Sequence, residues 1–256
     1  MHAEAQTFTL TTALSPQTEP LRLEDLENKI INADCMDILR QLPDKCVDLV
    51  LTDPPYGGGS RMLGEEINGR GSAVCSINTI SRTGGSWSKK YQQGGIFNND
   101  IRHWDTAPAQ EYFDEIFRVS KNQIIWGGNY FNLPPTRCFN VWRKLTISEA
   151  FSMAMCEYAW CSFNSNAKYW EYAPQDSERF HPTQKPVKLI ERQLNEYTKE
   201  GDLILDCFSG SGTTAIACHR LNRRFICIEK DKEYWEASCK RLEDERKQLS
   251  LFGGNE

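Results

Sequence analysis

A chain of 256 residues can hold one large α/β domain, or one domain with a sizeable insertion. A hydrophobic fraction of 39% and a charged fraction of 25% fit an ordinary globular protein, and no apolar run reaches the length of a membrane span. The net charge of −5 weighs slightly against a nucleic-acid partner.

Met1 to Pro20 lacks both a basic and an apolar segment, so it is not a signal peptide, and residues 1–28 read as a loosely ordered arm. A single domain is expected over residues 29–247. Ile30 to Asp34 reads as a short strand ending in a carboxylate, and Met36, Ile38, Leu39 and Leu42 suggest a short helix stopped by Pro43. Cys46 to Thr52 is a second, buried strand. It runs straight into Asp53-Pro54-Pro55-Tyr56, which offers a carboxylate, a carbonyl that no helix can claim, and an aromatic face. These groups suit a planar ring bearing an exocyclic amino group.

Residues 57–95 are rich in glycine and serine and keep no period, which marks an insertion, a lid or a binding loop. Between Gly57 and His103 the chain is locally basic, with Arg61, Arg70, Arg82, Lys89, Lys90 and Arg102 against Glu65, Glu66 and Asp100. Such a segment beside the Pro-Pro corner suits a phosphate backbone. Ala109 to Val119 has helical spacing, Asn122 to Trp126 is a strand, and Gly127-Gly128-Asn129 is a turn. Cys138 to Arg143 and Met155 to Phe163 read as further strands. Trp126, Tyr130 and Trp142 belong to the core or flank a ligand; Glu157 reads as a buried polar partner.

Pro186 opens a helix with Val187, Ile190, Leu194 and Tyr197 on one face. Leu203 to Phe208 is an apolar strand carrying Asp206; a glycine-rich turn leads into a helix from Thr213 to Leu221. Arg224 to Glu229 is the next strand, and a last amphipathic helix runs from Asp231 to Lys247. Strands alternating with helices imply a mostly parallel sheet with helices on both faces. The ten cysteines contain no Cys-x-x-Cys pair, so no metal site or disulfide framework is expected, and the usage fits a reducing cytoplasm.

Gly210-Ser211-Gly212-Thr213-Thr214-Ala215 fits G-x-G-x-x-A between a strand and a helix, and Glu229 ends the following strand in the register of a ribose-binding acid. A tight structural turn and a dinucleotide site share this pattern. The segment His181 to Ile190 adds a polar, cationic loop ahead of a helix, in which Lys185 is placed to hold a carboxylate.

Together, Asp53-Pro54-Pro55-Tyr56, His181-Pro182-Thr183-Gln184-Lys185-Pro186 and the glycine-rich turn resemble the DNA amino-methyltransferases that use S-adenosylmethionine, in the circularly permuted motif order of the β class. The resemblance spans roughly Ile30 to Lys240. It implies a Rossmann-like methyltransferase fold and transfer of a methyl group to adenine N6 of a flipped-out base; N4-cytosine methylation or an RNA substrate are the rivals within the class, and a nicotinamide-dependent dehydrogenase lies outside it. By position, Asp53, Pro54, Pro55 and Tyr56 would hold the target base, with Asp53 bordering the cofactor too. Asp206, Phe208, Gly210 and Gly212 would line the cofactor's methionine and ribose, and Glu229 would take the ribose hydroxyls. Asp34 and Cys35 would lie near its adenine, while Thr183 and Lys185 would hold its carboxylate end. Dimers are common in the family, and the sequence does not reveal whether a cognate restriction enzyme exists. The stretch between Phe163 and Phe180 is short for the family's target-recognition region, so recognition is expected in the 57–95 insertion. Residues 248–256 form a tail in which Gln248-Leu249-Ser250-Leu251-Phe252 resembles the peptide by which bacterial replication proteins dock on the DNA sliding clamp.

Overall fold

The computed structural model describes residues 22–57, 106–147, 154–174 and 184–252. The expected arm (residues 1–21 of it), nearly all of the 57–95 insertion, and Thr183 lie outside the described residues.

Among the described residues eight strands make one sheet: β1 (Lys29–Asn32), β2 (Val47–Thr52), β3 (Ser120–Trp126), β4 (Phe139–Lys144), β5 (Cys156–Cys161), β6 (Lys168–Tyr172), β7 (Leu203–Asp206) and β8 (Arg224–Glu229). Their order across the sheet is β1-β8-β7-β2-β3-β5-β4-β6. β5 runs antiparallel to both its neighbours, and every other pairing is parallel. The central strands read as unbroken apolar runs because both faces are covered: all four residues of β7 are buried.

Among the described residues six helices flank the sheet: α1 (Leu23–Leu26), α2 (Cys35–Leu39), α3 (Gln110–Val119), α4 (Val187–Tyr197), α5 (Thr213–Arg220) and α6 (Lys232–Phe252). Alternate side chains of each strand point to opposite faces. Ile204, Phe225, Cys227 and Ile124 pack with Leu189, Leu194, Ile216 and Leu242 from α4, α5 and α6. Leu203, Leu205, Ile226 and Ile125 pack with Leu26, Leu39, Phe113 and Ile116 from α1, α2 and α3 on the other face.

The expected parallel sheet covered on both faces is therefore what forms. Three elements differ in detail. The arm expected over residues 1–28 includes α1, whose Leu26 is buried. The polar stretch after Phe163 contains β6, an edge strand whose alternating half-buried and exposed residues carry no continuous apolar run. The last helix continues past Lys247 to Phe252.

The connections place the site. From β2 the chain crosses through α3 to β3 on one side; from β7 it crosses through α5 to β8 on the other. β2 and β7 are neighbours, so the chain winds away in opposite directions from the gap between their ends. In open α/β sheets a ligand crevice forms at such a point, beyond the carboxyl ends of the strands.

Candidate active site

β2 delivers a buried Thr52, and the chain then leaves the sheet as Asp53-Pro54-Pro55-Tyr56. The two prolines lack the N–H groups that would continue the ladder. The Tyr56 hydroxyl donates to Asp53 Oδ1 at 2.7 Å, and Lys185 Nζ donates to Asp53 Oδ2. Tyr56, the aromatic face of the corner, is half-buried. Its ring stacks on Tyr130, with centroids 4.6 Å apart and planes 19° apart, and meets Phe131 edge-on. It also lies on Gly127, which has φ +65°; a Cβ there would fall 2.0 Å from Tyr56 Cε1. Only glycine satisfies both the left-handed backbone and the contact. The exposed aromatic of this corner is Tyr130, at 63%.

Lys185, expected beside a cofactor carboxylate, is buried with its ammonium on two carboxylates of the chain: Asp53, and Glu157 of β5 at 3.3 Å. It also lies over the Trp126 ring, 4.9 Å from the centroid. Glu157 Oε1 meets Lys144 Nζ of β4 at 2.6 Å. A line of alternating charge thus runs Lys144, Glu157, Lys185, Asp53. Burial alone would lower the Lys185 ammonium, but Asp53 and Glu157 outweigh it and hold the group above its usual value. Burial alone would raise the Glu157 carboxyl, but Lys185 and Lys144 outweigh it and hold the group below its usual value.

The glycine turn has a different balance. Asp206, buried at the end of β7, accepts from Thr214 Oγ1 at 2.6 Å and from the Phe208 N–H at 3.1 Å. These bonds do not offset its burial, which, with the nearby Asp53 charge adding, pushes the carboxyl up to about 6. Glu229, at the end of β8, accepts from the N–H groups of Gly210 at 2.7 Å and Asp231 at 2.8 Å, and burial raises it too. Phe208 is half-buried, edge-on to Tyr112 at 5.2 Å. Gly210 and Gly212 both take positive φ. For Gly212 the close neighbours are the chain's own: a Cβ would meet Ser238 of α6 at 3.1 Å and Ile30 of β1 at 3.3 Å, so this glycine serves helix–strand packing.

Asp34 caps α2 by accepting from the Met36 N–H at 3.0 Å, and pairs with Lys230 at 2.9 Å, which holds its carboxyl below the usual range. Cys35 beside it is buried, and burial pushes its thiol up to about 12.

These pieces converge. β2 and β7 pair in register at Leu49 with Ile204 and Val50 with Leu205, which sets Asp53 and Asp206 at adjacent strand ends. β1 pairs with β8 through Asn32 and Glu229, which brings Asp34 to the same rim. Thr213 Oγ1 donates to the Lys185 carbonyl at 3.4 Å, joining the segment before α4 to the glycine turn. The described site residues therefore gather along one edge of the sheet. Sequence reasoning left Glu157 and Lys144 without a functional role; the available signal was an acid leading directly into the apolar run Tyr158 to Cys161 and a lysine closing another strand. It read Gly127 only as a turn.

A family model described as DNA methylase matches residues 134–240. The chain is 27% identical to the Type II methyltransferase M2.DpnII of Streptococcus pneumoniae and 28% identical to M2.LlaDCHI of Lactococcus lactis subsp. cremoris; each comparison covers 84% of this chain and 90% of the relative. Among solved structures, the M1.HpyAVI–SAM complex superposes with a TM-score of 0.52 at 19% identity, over 84% of this chain and 98% of that one. The PvuII DNA methyltransferase, cytosine-N4-specific, also gives a TM-score of 0.52, at 14% identity over 86% of this chain and 91% of that one. At such identities these two likenesses speak for the fold.

Proposed function

We propose that the chain is a DNA methylase, like the family whose model matches residues 134–240, and that it methylates DNA at the N6 amino group of adenine, with S-adenosylmethionine as methyl donor. The observation that supports this reading is the carboxylate of Asp53, held at the end of β2 by Tyr56 and Lys185 and adjoining the acidic glycine turn.

An adenine N6 lone pair is conjugated with its ring, so the nitrogen is a poor nucleophile. Asp53 and the Pro54 carbonyl would accept its two N–H groups and favour a pyramidal nitrogen. Each oxygen of Asp53 keeps acceptor capacity beyond the bonds from Tyr56 and Lys185, because a carboxylate has about four lone-pair sites. As positive charge develops on the nitrogen, the Asp53 carboxylate stabilises it. Pro54 and Pro55 fix the corner, and Tyr56 orients Asp53 while presenting ring surface to an everted base.

The cofactor supplies a methyl group on a sulfonium, and the donor set at the glycine turn suits it. Asp206 is buried and Glu229 half-buried, and desolvation lifts both carboxyls, which a diol and a positively charged ligand would satisfy. Phe208, Gly210 and Gly212 would shape the turn around it, Asp34 and Cys35 would border its adenine, and Thr183 its carboxylate end, while the Lys185 ammonium expected there is instead held by Asp53 and Glu157. Recognition by the 57–95 insertion, a homodimer, and clamp docking through Gln248–Phe252 rest on sequence alone. For the last of these, the clamp peptide would have to leave the final turn of α6. Among the described residues no helix is long and apolar enough to cross a membrane.

The test is to digest DNA methylated with isotope-labelled S-adenosylmethionine and identify the labelled nucleoside. N6-methyladenine is expected; N4-methylcytosine would transfer the reading to the cytosine class, and no label would end it. Asp53→Ala should lower kcat by about 10³-fold while leaving cofactor affinity within about threefold.

A further inference from the structure

We propose that Glu157 is a positioning residue for methyl transfer: it takes a share of the Lys185 ammonium and so keeps the Asp53 carboxylate available to the target amino group. The inference rests on the reaction proposed above.

Lys185 has no water to turn to, because its side chain is only 6% exposed. Among the described residues its ammonium is satisfied by Asp53 Oδ2, Glu157 Oε2 and the face of Trp126. A buried ammonium with a single carboxylate partner would commit itself to that partner. If Asp53 were the sole partner, Lys185 would neutralise the acceptor and set a fixed positive charge beside the nitrogen that becomes positive during transfer. Both effects oppose the reaction. Glu157 counters them by supplying a second carboxylate to the ammonium, at 3.3 Å.

Glu157 is itself held in place. Lys144 takes its other oxygen, and Lys144 and Glu157 stand on the paired strands β4 and β5, where Glu157 is in register with Trp142. The Gly127 N–H donates to the Tyr158 carbonyl at 2.8 Å, which ties the residue after Glu157 to the turn that seats Tyr56. The carboxylate is thus built into the sheet behind the reacting corner.

The role makes three separable demands on a kinetic experiment with the full chain, cofactor and duplex DNA. Glu157→Gln keeps the shape and removes the charge; kcat should fall by about tenfold while KM for DNA and cofactor affinity stay within about twofold. In a Lys185→Met background, the same change should cost nothing further in kcat, because the residue through which Glu157 acts is gone. Lys144→Gln should leave kcat at or above the wild-type value, since Glu157 is then free to draw Lys185 more strongly. An unchanged kcat in Glu157→Gln, an equal loss in both backgrounds, or a fall in Lys144→Gln as deep as that of Glu157→Gln overturns the proposal. If the wild-type chain transfers no methyl group to DNA, the methyltransferase reading itself has failed; if it does and Glu157→Gln matches it, only the role of Glu157 has.

Discussion

The two halves of the crevice solve opposite electrostatic problems. At the end of β2 the charges are paired within the chain: Asp53 and Glu157 meet the buried Lys185, and Lys144 meets Glu157. At the ends of β7 and β8 the carboxylates of Asp206 and Glu229 are bound by hydroxyl and backbone N–H groups alone, and burial lifts both. The first half is complete without a ligand and must be kept from closing on itself. The second stores an excess of negative charge, which a cationic ligand relieves. One half is tuned for a neutral amino group passing through positive charge, the other for a ligand that arrives with positive charge.

The sharpest way to break the paired half leaves its charges untouched. Gly127→Ala puts a methyl group 2.0 Å from Tyr56 Cε1 and forces an L-residue to φ +65°. Tyr56 must then leave its seat, and its hydroxyl leaves Asp53. The backbone cost and the displaced ring should together lower stability by about 2 kcal/mol or more. Because small misplacements of reacting groups are expensive, kcat should fall by about 10²-fold. Denaturant melts and initial rates check the two figures. Wild-type activity in a folded variant would show that Gly127 does not set the position of Tyr56.

The unpaired half is sharpened by Asp206→Asn. The wild-type carboxyl sits at about 6 against an ordinary 3.8. A raised carboxyl contributes stability that is complete below its unfolded value and is lost as pH rises through the folded one. At pH about 7 an ionised Asp206 therefore destabilises the ligand-free protein. Asparagine can still accept from Thr214, so the variant should be more stable there by on the order of 1–2 kcal/mol, with the difference vanishing below pH about 4. Cofactor affinity should move the other way, falling by about tenfold at neutral pH. In the wild type, affinity should decline as pH drops through about 6, a limb that Glu229 broadens and the variant lacks in part. Calorimetric titration across pH 5 to about 8 reads both signs. A variant that is less stable and binds as tightly would mean that Asp206 is structural.

What the sequence disclosed follows the same division. The glycine-turn half was legible because its parts are local: an apolar run ending in Asp206, a glycine turn entering α5, and Glu229 closing the next strand. Asp53 was legible for the same reason. The pairing around it was not, because it is made by tertiary contacts. Lys185 reads from sequence as a holder of a carboxylate, but that the carboxylates are Asp53 and Glu157 of the chain itself emerges only on folding, and Glu157 gains its meaning only from the register that sets β5 against β4. The stacking of Tyr56 depends on a glycine in another loop, which fixes its place by having no side chain. β6 escaped for a different reason: an edge strand with alternating exposure has no apolar run to betray it.

The smallest expected effect tests where the unpaired half ends. Lys230 pairs with Asp34 at 2.9 Å on the rim above Glu229, but the lysine side chain is 79% exposed and the aspartate 39%. Water and salt screen such a pair, and ordering a long lysine costs entropy. The Asp34 carboxyl has a second role that Lys230 does not touch, because it caps α2 through the Met36 N–H. The backbone at the rim is also held independently, since the Asn32 side chain donates to the Glu229 and Lys230 carbonyls at 2.9 and 3.1 Å. Lys230→Ala should therefore lower stability by no more than about 0.5 kcal/mol, and the difference should disappear in about 1 M salt. Cofactor affinity should change by less than about threefold. The stability that Lys230 adds depends on an ionised Asp34 held below its usual value, so it is present at neutral pH and is lost as pH falls through that lowered value. A loss above about 1 kcal/mol, insensitive to salt, would mean that the rim is shielded from solvent and that the paired regime of the β2 corner extends around to the edge of the glycine turn.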